Sequence, residues 1–168
     1  TALSNTNRGV DIFGGAKFNV VGSNGDGVTD RAEQNVISGN GWDGVGISGA
    51  GTAANVVAGN LIGTDKSGLD PLGNAFSGIV IFGGAQSNRV GTDSDGVADA
   101  HERNLISANI HSGVTILEPT TQRNLVAGNW IGTTVSGTSR LSNKLSGVAV
   151  DNAAANTIGG GMESARNI

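Results

Sequence analysis

Residues 35–40 read Asn-Val-Ile-Ser-Gly-Asn, and residues 55–60 read Asn-Val-Val-Ala-Gly-Asn. The same pattern returns at residues 104–109 and 124–129. In each copy an asparagine precedes a short apolar segment, and a small residue followed by a second asparagine closes it. Brief apolar alternation bounded by residues that tolerate positive φ is typical of short strands. The pattern therefore predicts strands separated by tight corners.

The whole chain repeats with a period of 69 residues. Residues 5–73 align without a gap onto residues 74–142, with about half of the positions identical, and a partial third copy covers residues 143–168. A second pattern, Gly-Val/Ile-x-Ile/Val, recurs about 35 residues apart within these copies. Self-similarity at a fixed period is the signature of stacked-repeat architectures.

These patterns predict an all-β fold, a right-handed parallel β-helix. A helical alternative fails because the apolar residues recur at i, i+2 and glycine interrupts every few positions. Three coils of about 23 residues in each repeat would give about seven coils, a rod roughly 35 Å long. The predicted inward residues are Val10, Ile12, Ile37, Val45, Ile47, Val57 and Ile62, with the residues 69 positions further on. Val36, Val56, Leu105 and Leu125 are predicted to face outward.

The asparagines that close each strand have a predicted structural role. Stacked at one corner of a solenoid, their amide side chains can hydrogen-bond to equivalent amides in the coils above and below. We therefore expect an asparagine ladder rather than glycosylation sites.

The repeats resemble those of bacterial right-handed β-helix repeat proteins of the pectate-lyase-like superfamily. The resemblance rests on residues 35–40, on residues 55–64 (Asn-Val-Val-Ala-Gly-Asn-Leu-Ile-Gly-Thr) and on residues 156–160 (Asn-Thr-Ile-Gly-Gly), and it covers essentially the whole chain. The resemblance is specific for the fold and implies a right-handed parallel β-helix. It implies function only weakly, because that superfamily includes lyases, hydrolases, epimerases, adhesins and spacers.

Composition excludes several classes of partner. The chain has 168 residues, a formal net charge of −4 and ten lysines and arginines, which are scattered singly. No basic stripe is present to follow a phosphate backbone, so we expect neither nucleic acid nor an anionic membrane surface as a partner. No apolar run approaches the roughly 20 residues that span a bilayer. The absence of cysteine excludes disulfides and thiolate metal sites.

Two acidic segments, residues 24–33 and 93–102, occupy equivalent positions in the two full copies. Aligned with a calcium-binding loop, each segment has candidate ligands at the third, fifth, ninth and twelfth positions and glycine at the sixth. The ligand expected at the first position is missing, because glycine stands there. The predicted calcium ligands are Asn24, Asp26, Asp30, Glu33, Asp93, Asp95, Asp99 and Glu102. The same segments also fit a surface loop before a helical turn, with Asp30 and Asp99 as N-caps and Glu33 and Glu102 completing a capping box.

No residue is assigned a catalytic role. Hydrolases of the resembled superfamily carry Asp-Asp, Gly-His-Gly and Arg-x-Lys signatures, and none of these occurs in the sequence. Trp130 replaces Leu61 of the preceding copy, and alternation places it opposite the inward Ile131. It can offer a flat face to a sugar ring or pack against a loop. Trp42, after the corner at Asn40, has the same two interpretations.

Two classes of function follow. The first is a non-catalytic module of a secreted or cell-surface bacterial protein, a spacer or adhesin segment that contacts polysaccharide or surface glycans. The second is a polysaccharide lyase, hydrolase or epimerase. Agreement between the copies at core and loop positions favours the first class. We further expect residues 1–168 to form one β-helix domain, a fragment of a longer repeat protein, whose uncapped coils associate head to tail.

Overall fold

The chain forms a parallel β-solenoid in the computed structural model, which describes residues 4–168. In chain order the strands are β1 (Val10–Ile12), β2 (Val20–Gly22), β3 (Val36–Ile37), β4 (Val45–Ser48), β5 (Val56–Ala58), β6 (Leu61–Ile62), β7 (Ile79–Phe82), β8 (Arg89–Gly91), β9 (Leu105–Ile106), β10 (Val114–Leu117), β11 (Leu125–Ala127), β12 (Trp130–Ile131), β13 (Val148–Asp151) and β14 (Thr157–Ile158). Two helical turns interrupt them, a 3₁₀ turn at Asp30–Glu33 and α1 at Asp99–Glu102. Within the described part of the chain, no helix is long and apolar enough to cross a membrane.

Three parallel sheets run along the solenoid. Their strand orders are β1-β4-β7-β10-β13, β2-β5-β8-β11-β14 and β3-β6-β9-β12, which we call the first, second and third sheets. Each of four complete coils contributes one strand to every sheet, and β13 and β14 begin a fifth, so the chain makes about four turns. The all-β parallel solenoid is confirmed, but the prediction of about seven coils is wrong.

The correct coil length follows from strand register. In the first sheet Val10 pairs with Val45, and Val45 pairs with Ile79, so a coil takes about 35 residues and the 69-residue repeat spans two coils. In the third sheet Val36 pairs with Leu61, whereas Leu61 pairs with Leu105. Two coil types therefore alternate. One carries an acidic segment before its third strand, and the other carries a loop after it. At about 4.8 Å per coil, the stack is about 20 Å long instead of 35 Å.

The core is formed by the residues that alternation placed inside. The fully or almost fully buried members are Ile12, Ile37, Val45, Ile47, Val57, Ile62, Ile79, Ile81, Ile106, Val114, Ile116 and Val126. Val10 and Ile131 are only half-buried. Among the residues predicted to face outward, Val36 is exposed, but Leu105 is 2% exposed because loops cover the outer face of the third sheet.

Asparagine ladders run along three corners of the solenoid, where the sequence predicted stacking at one. The ladders are Asn5-Asn40-Asn74-Asn109-Asn143, Asn19-Asn55-Asn88-Asn124-Asn156 and Asn35-Asn60-Asn104-Asn129-Asn167, with Nδ2 to Oδ1 distances of 2.8–3.1 Å. Apart from Asn40, every ladder Oδ1 that accepts an amide also accepts the backbone N–H of the same donor residue, as Asn104 Oδ1 does from Asn60 at 3.0 Å. The stacked amides therefore satisfy one another and the backbone at buried corners.

Glycine at the end of a second-sheet strand permits this close corner. Gly91 has a φ of +94°, and a Cβ there would lie 2.0 Å from the carbonyl oxygen of Ala127 and 2.7 Å from Oδ1 of Asn129. Any side chain would collide with the backbone and with the ladder of the next coil. In the motif itself, the small residue before the second asparagine also lies in the left-handed region, as Gly128 does with a φ of +69°.

Candidate functional site

The most developed surface feature is a groove on the outer face of the first sheet. Trp42, Phe76, His111 and Leu145 occupy equivalent positions in successive coils, two residues before the glycine that precedes each strand. Their backbones are in register, since Phe76 N donates to Trp42 O and His111 N donates to Phe76 O at 3.3 and 3.1 Å. A row of side chains, which we call the aromatic row, therefore follows the solenoid axis.

Trp42 and Phe76 are the aromatic part of this row. Their ring centres lie 5.6 Å apart with an interplanar angle of 49°, and the two residues are 48% and 47% exposed. Beside them lies a cavity of about 240 Å³ whose floor includes Val80, Phe82 and Leu117. Trp42 and Phe76 therefore form an exposed aromatic pair beside an apolar floor.

One arginine organises the charged end of the groove. Arg8 Nε donates to Asp43 Oδ2 at 3.1 Å, and Arg8 Nη1 donates to Asp11 Oδ2 at 3.2 Å. The guanidinium carbon of Arg8 is 5.3 Å from the ring centres of both Trp42 and Phe82. The carboxylate of Asp43 is fixed by a second hydrogen bond, because its Oδ1 accepts the backbone N–H of Ser77. Both carboxylates are thus engaged by Arg8, which also stacks on the aromatic rings.

Sequence patterns predict Trp42 as a contact residue but do not predict its partners Phe76 and Arg8. In the 69-residue alignment Phe76 corresponds to Leu145 and Arg8 to Ser77. Because these pairs differ in residue type, the alignment does not mark Phe76 or Arg8 as part of a repeated surface feature. Alignment at the 35-residue spacing would have placed Trp42 next to Phe76, because both precede the recurring glycine by two residues.

The second acidic segment brings three carboxylates together. Oxygens of Asp93, Asp95 and Asp99 all lie within 4.8 Å of one another. Glu102, predicted as a fourth ligand, is 1% exposed, and its Oε1 accepts a hydrogen bond from Arg89 Nη1 at 2.7 Å. Its other oxygen accepts the N–H of Asp93 at 3.1 Å. Glu102 therefore closes the base of the loop and is committed to Arg89.

The first acidic segment is organised by internal hydrogen bonds. Ser23 Oγ donates to Asp30 Oδ1 at 2.7 Å, and Asp30 is buried. Asn24 Nδ2 donates to Asp26 Oδ2 at 3.1 Å, and Glu33 Oε2 accepts the N–H of Asn24 at 3.0 Å. With asparagine where the second segment has Asp93, this loop holds fewer carboxylates.

The predicted capping boxes are wrong. The N-cap positions are Thr29 and Ala98, both in the left-handed region with φ of 61° and 53°, and neither makes a side-chain capping bond. Asp30 and Asp99 are the first helical residues instead. Their carboxylates accept hydrogen bonds from the upstream hydroxyl groups of Ser23 and Thr92.

Trp130 lies on the outer face of the third sheet and is half-buried. The guanidinium carbon of Arg103 is 4.8 Å from its ring centre, and a Cβ on Gly137 would be 3.1 Å from its Nε1. Arg103 Nε donates to the carbonyl of Gly128 at 2.8 Å, and burial lowers the pKa of Arg103. Trp130 therefore packs against Arg103 and the loop at Gly137, and its contact with glycan stays a prediction.

The loop over residues 65–70 is organised by one carboxylate. Asp65 accepts hydrogen bonds from the Ser67 hydroxyl at 2.7 Å and from the N–H groups of Leu69 and Asp70. The Ser67 hydroxyl and then the Asp70 N–H lower the pKa of Asp65 from 3.8 to about 2. These bonds hold the turn that carries Lys66, which lines one cavity together with Trp130.

Comparison of the chain with known protein families, with curated proteins and with solved structures found no match.

Proposed function

We propose that the chain is a non-catalytic β-solenoid module of a secreted or cell-surface bacterial protein, a spacer or adhesin segment that contacts glycans. The observation that carries this proposal is the aromatic row, where half-exposed Trp42 and Phe76 stand beside an apolar floor. Aromatic rings and apolar surface match the C–H faces of sugar rings, and a row along the solenoid axis suits an extended glycan. The pairing of Asp11 and Asp43 with Arg8 favours binding over acid–base catalysis at this groove.

The proposal includes a right-handed coil and a relationship to the pectate-lyase-like superfamily. Parallel strands joined by crossover connections are right-handed in about 98% of cases. The repeats at residues 35–40 and 55–64 support the relationship, as does the parallel solenoid. A location outside the cell rests on the same resemblance.

Glycan binding is testable by intrinsic fluorescence because the chain has two tryptophans. In a Trp130→Phe background, Trp42 is the sole tryptophan and reports on the groove. Titration with neutral and acidic oligosaccharides is expected to change its emission saturably. Adding Phe76→Ala is expected to weaken binding about tenfold, the equivalent of about 1.4 kcal/mol, because a stacking surface is removed.

Phe18→Ala serves as the matched control, since Phe18 is an exposed phenylalanine outside the cavity. It should leave the dissociation constant unchanged. Equal weakening by both substitutions, or no emission change with any oligosaccharide, would overturn the groove as a glycan site. Release of reducing ends or unsaturated products from the same oligosaccharides would overturn the non-catalytic assignment.

We also propose that the second acidic segment binds calcium through Asp93, Asp95 and Asp99. Carboxylate oxygens are the ligands that this hard cation prefers. Millimolar calcium is expected to raise the melting temperature, because only the folded loop gathers the three carboxylates. The double substitution Asp93→Asn and Asp95→Asn should abolish that increase, while Asp26→Asn in the first loop should preserve most of it. Absence of heat in a calcium titration of the unsubstituted chain would refute the site.

A further inference from the structure

The solenoid gathers basic side chains that are distant in sequence around one cavity. Arg31, Lys66, His101 and Arg103 line a space of about 400 Å³ on the outer face of the third sheet. Arg31 comes from the first coil, Lys66 from the second, and His101 and Arg103 from the third. One carboxylate, Asp30, also lines it, and the hydroxyl of Ser23 is bonded to that group. The cavity therefore has a positive rim on a chain whose formal net charge is −4.

The floor of this cavity is apolar. Leu61, Leu105 and Trp130 are outward-facing residues of β6, β9 and β12, stacked in register across the third sheet. Leu61 and Leu105 are nearly inaccessible from outside, at 4% and 2% exposure, while Trp130 is half-buried. Val135, from the loop after β12, forms an apolar side. A positive rim above an apolar floor is complementary to a molecule with an anionic group and an apolar body.

The repeat argues that the positive charges are not needed for folding. One repeat away from Arg31 stands Ala100, and one repeat away from Lys66 stands Val135. Arg103 likewise corresponds to Gln34. The fold accommodates neutral side chains at each of these positions. Both members of each pair line the same cavity, and the chain places a positive charge at one member of each.

Arg103 is already positioned for a ligand. Its Nε bonds the carbonyl of Gly128, and its plane lies over Trp130. This anchoring leaves the outer edge of the guanidinium to donate to an anion with little further loss of side-chain freedom. Arg31 and Lys66 are exposed at the rim and can close on the same anionic group.

We propose that this cavity binds an organic anion with an apolar body, a carboxylate or sulfonate attached to an aromatic or aliphatic group. The anionic group lies at the rim among Arg31, Lys66 and Arg103, and the apolar body contacts the accessible side chains Trp130 and Val135. The site is separate from the aromatic row and does not depend on the glycan proposal.

The test uses 8-anilinonaphthalene-1-sulfonate, an aromatic sulfonate whose fluorescence rises in apolar surroundings. A Trp42→Phe variant removes the tryptophan of the aromatic row and leaves Trp130 as the sole tryptophan, so its emission follows binding of the probe to the chain. We expect saturable binding with one probe per chain and quenching of Trp130. The neutral analogue N-phenyl-1-naphthylamine is expected to bind at least tenfold more weakly.

The double substitution Arg31→Gln and Lys66→Gln should weaken sulfonate binding at least tenfold and leave binding of the neutral analogue unchanged. Arg123→Gln is the matched control, since Arg123 is exposed and outside the cavity. Benzoate should displace the probe, whereas sulfate at equal ionic strength should not. Unchanged binding in the double variant, equal affinity for the neutral analogue, or displacement by sulfate would each overturn the proposal. Equal melting temperatures of the variants establish that the comparison is between folded chains.

Discussion

Replacing Asn104 with aspartate is expected to lower the free energy of unfolding by roughly 3 kcal/mol or more. Asn104 is fully buried in the third ladder, and its Nδ2 donates to Val57 O at 2.8 Å and to Asn129 Oδ1 at 2.9 Å. A carboxylate would present an oxygen to both of these acceptors. The resulting repulsion and the burial of a charge destabilise two adjacent coils at once. Urea unfolding followed by circular dichroism measures the effect.

Asn7→Asp is the matched control for this experiment, because Asn7 is exposed and lies outside the three ladders. It makes the same chemical change and should alter stability by less than about 0.5 kcal/mol. If Asn104→Asp had an equally small effect, the ladder would not be a main source of stability.

Val57→Asp is expected to destabilise the chain by more than about 4 kcal/mol and to prevent folding if the total stability is smaller. Val57 is fully buried and pairs with the inward residues Val21 and Val90 of adjacent coils. A carboxylate there would be buried in an aliphatic stack without a partner. Because each coil of a solenoid is stabilised by its neighbours, loss of one coil removes support from the two beside it.

Val20→Asp provides the control in the same sheet. Val20 is 50% exposed and pairs in register with Val56, on the outward face. This substitution should cost about 1 kcal/mol or less. A melting curve unchanged by Val57→Asp, together with unfolding by Val20→Asp, would mean that the two faces of the second sheet are reversed.

Short-range pattern was sufficient to predict the strands, the inward residues and the asparagine stacking. Alternation at Val45 and Ile47 is a property of a few adjacent residues, and it predicted their burial correctly. The asparagine ladders were predictable because the same polar residue stands before equivalent strands in every copy. The head-to-tail association and the fragment character of the chain stay predictions.

The coil length could not be read from the 69-residue period alone, because that period contains two coils of different shape. Loop lengths decide where the chain returns to the same sheet, and the third-sheet pairs Val36–Leu61 and Leu61–Leu105 have different spacings for this reason. Alternation likewise predicted that Leu105 faces outward. It could not predict that Leu105 is buried, because the loops that cover it come from other parts of the chain.

The amino-acid sequence by itself determined the β-solenoid class, the aliphatic interior and the acidic loops of this protein. Only the tertiary structure decided which side chains meet across coils. It paired Glu102 with Arg89, and it placed Trp42 beside Phe76. It also gathered Arg31 and Lys66, which look scattered along the chain, at one cavity. The physical reason is that lateral neighbours in a solenoid are separated by a whole coil, so their contacts depend on strand register and loop length rather than on local pattern.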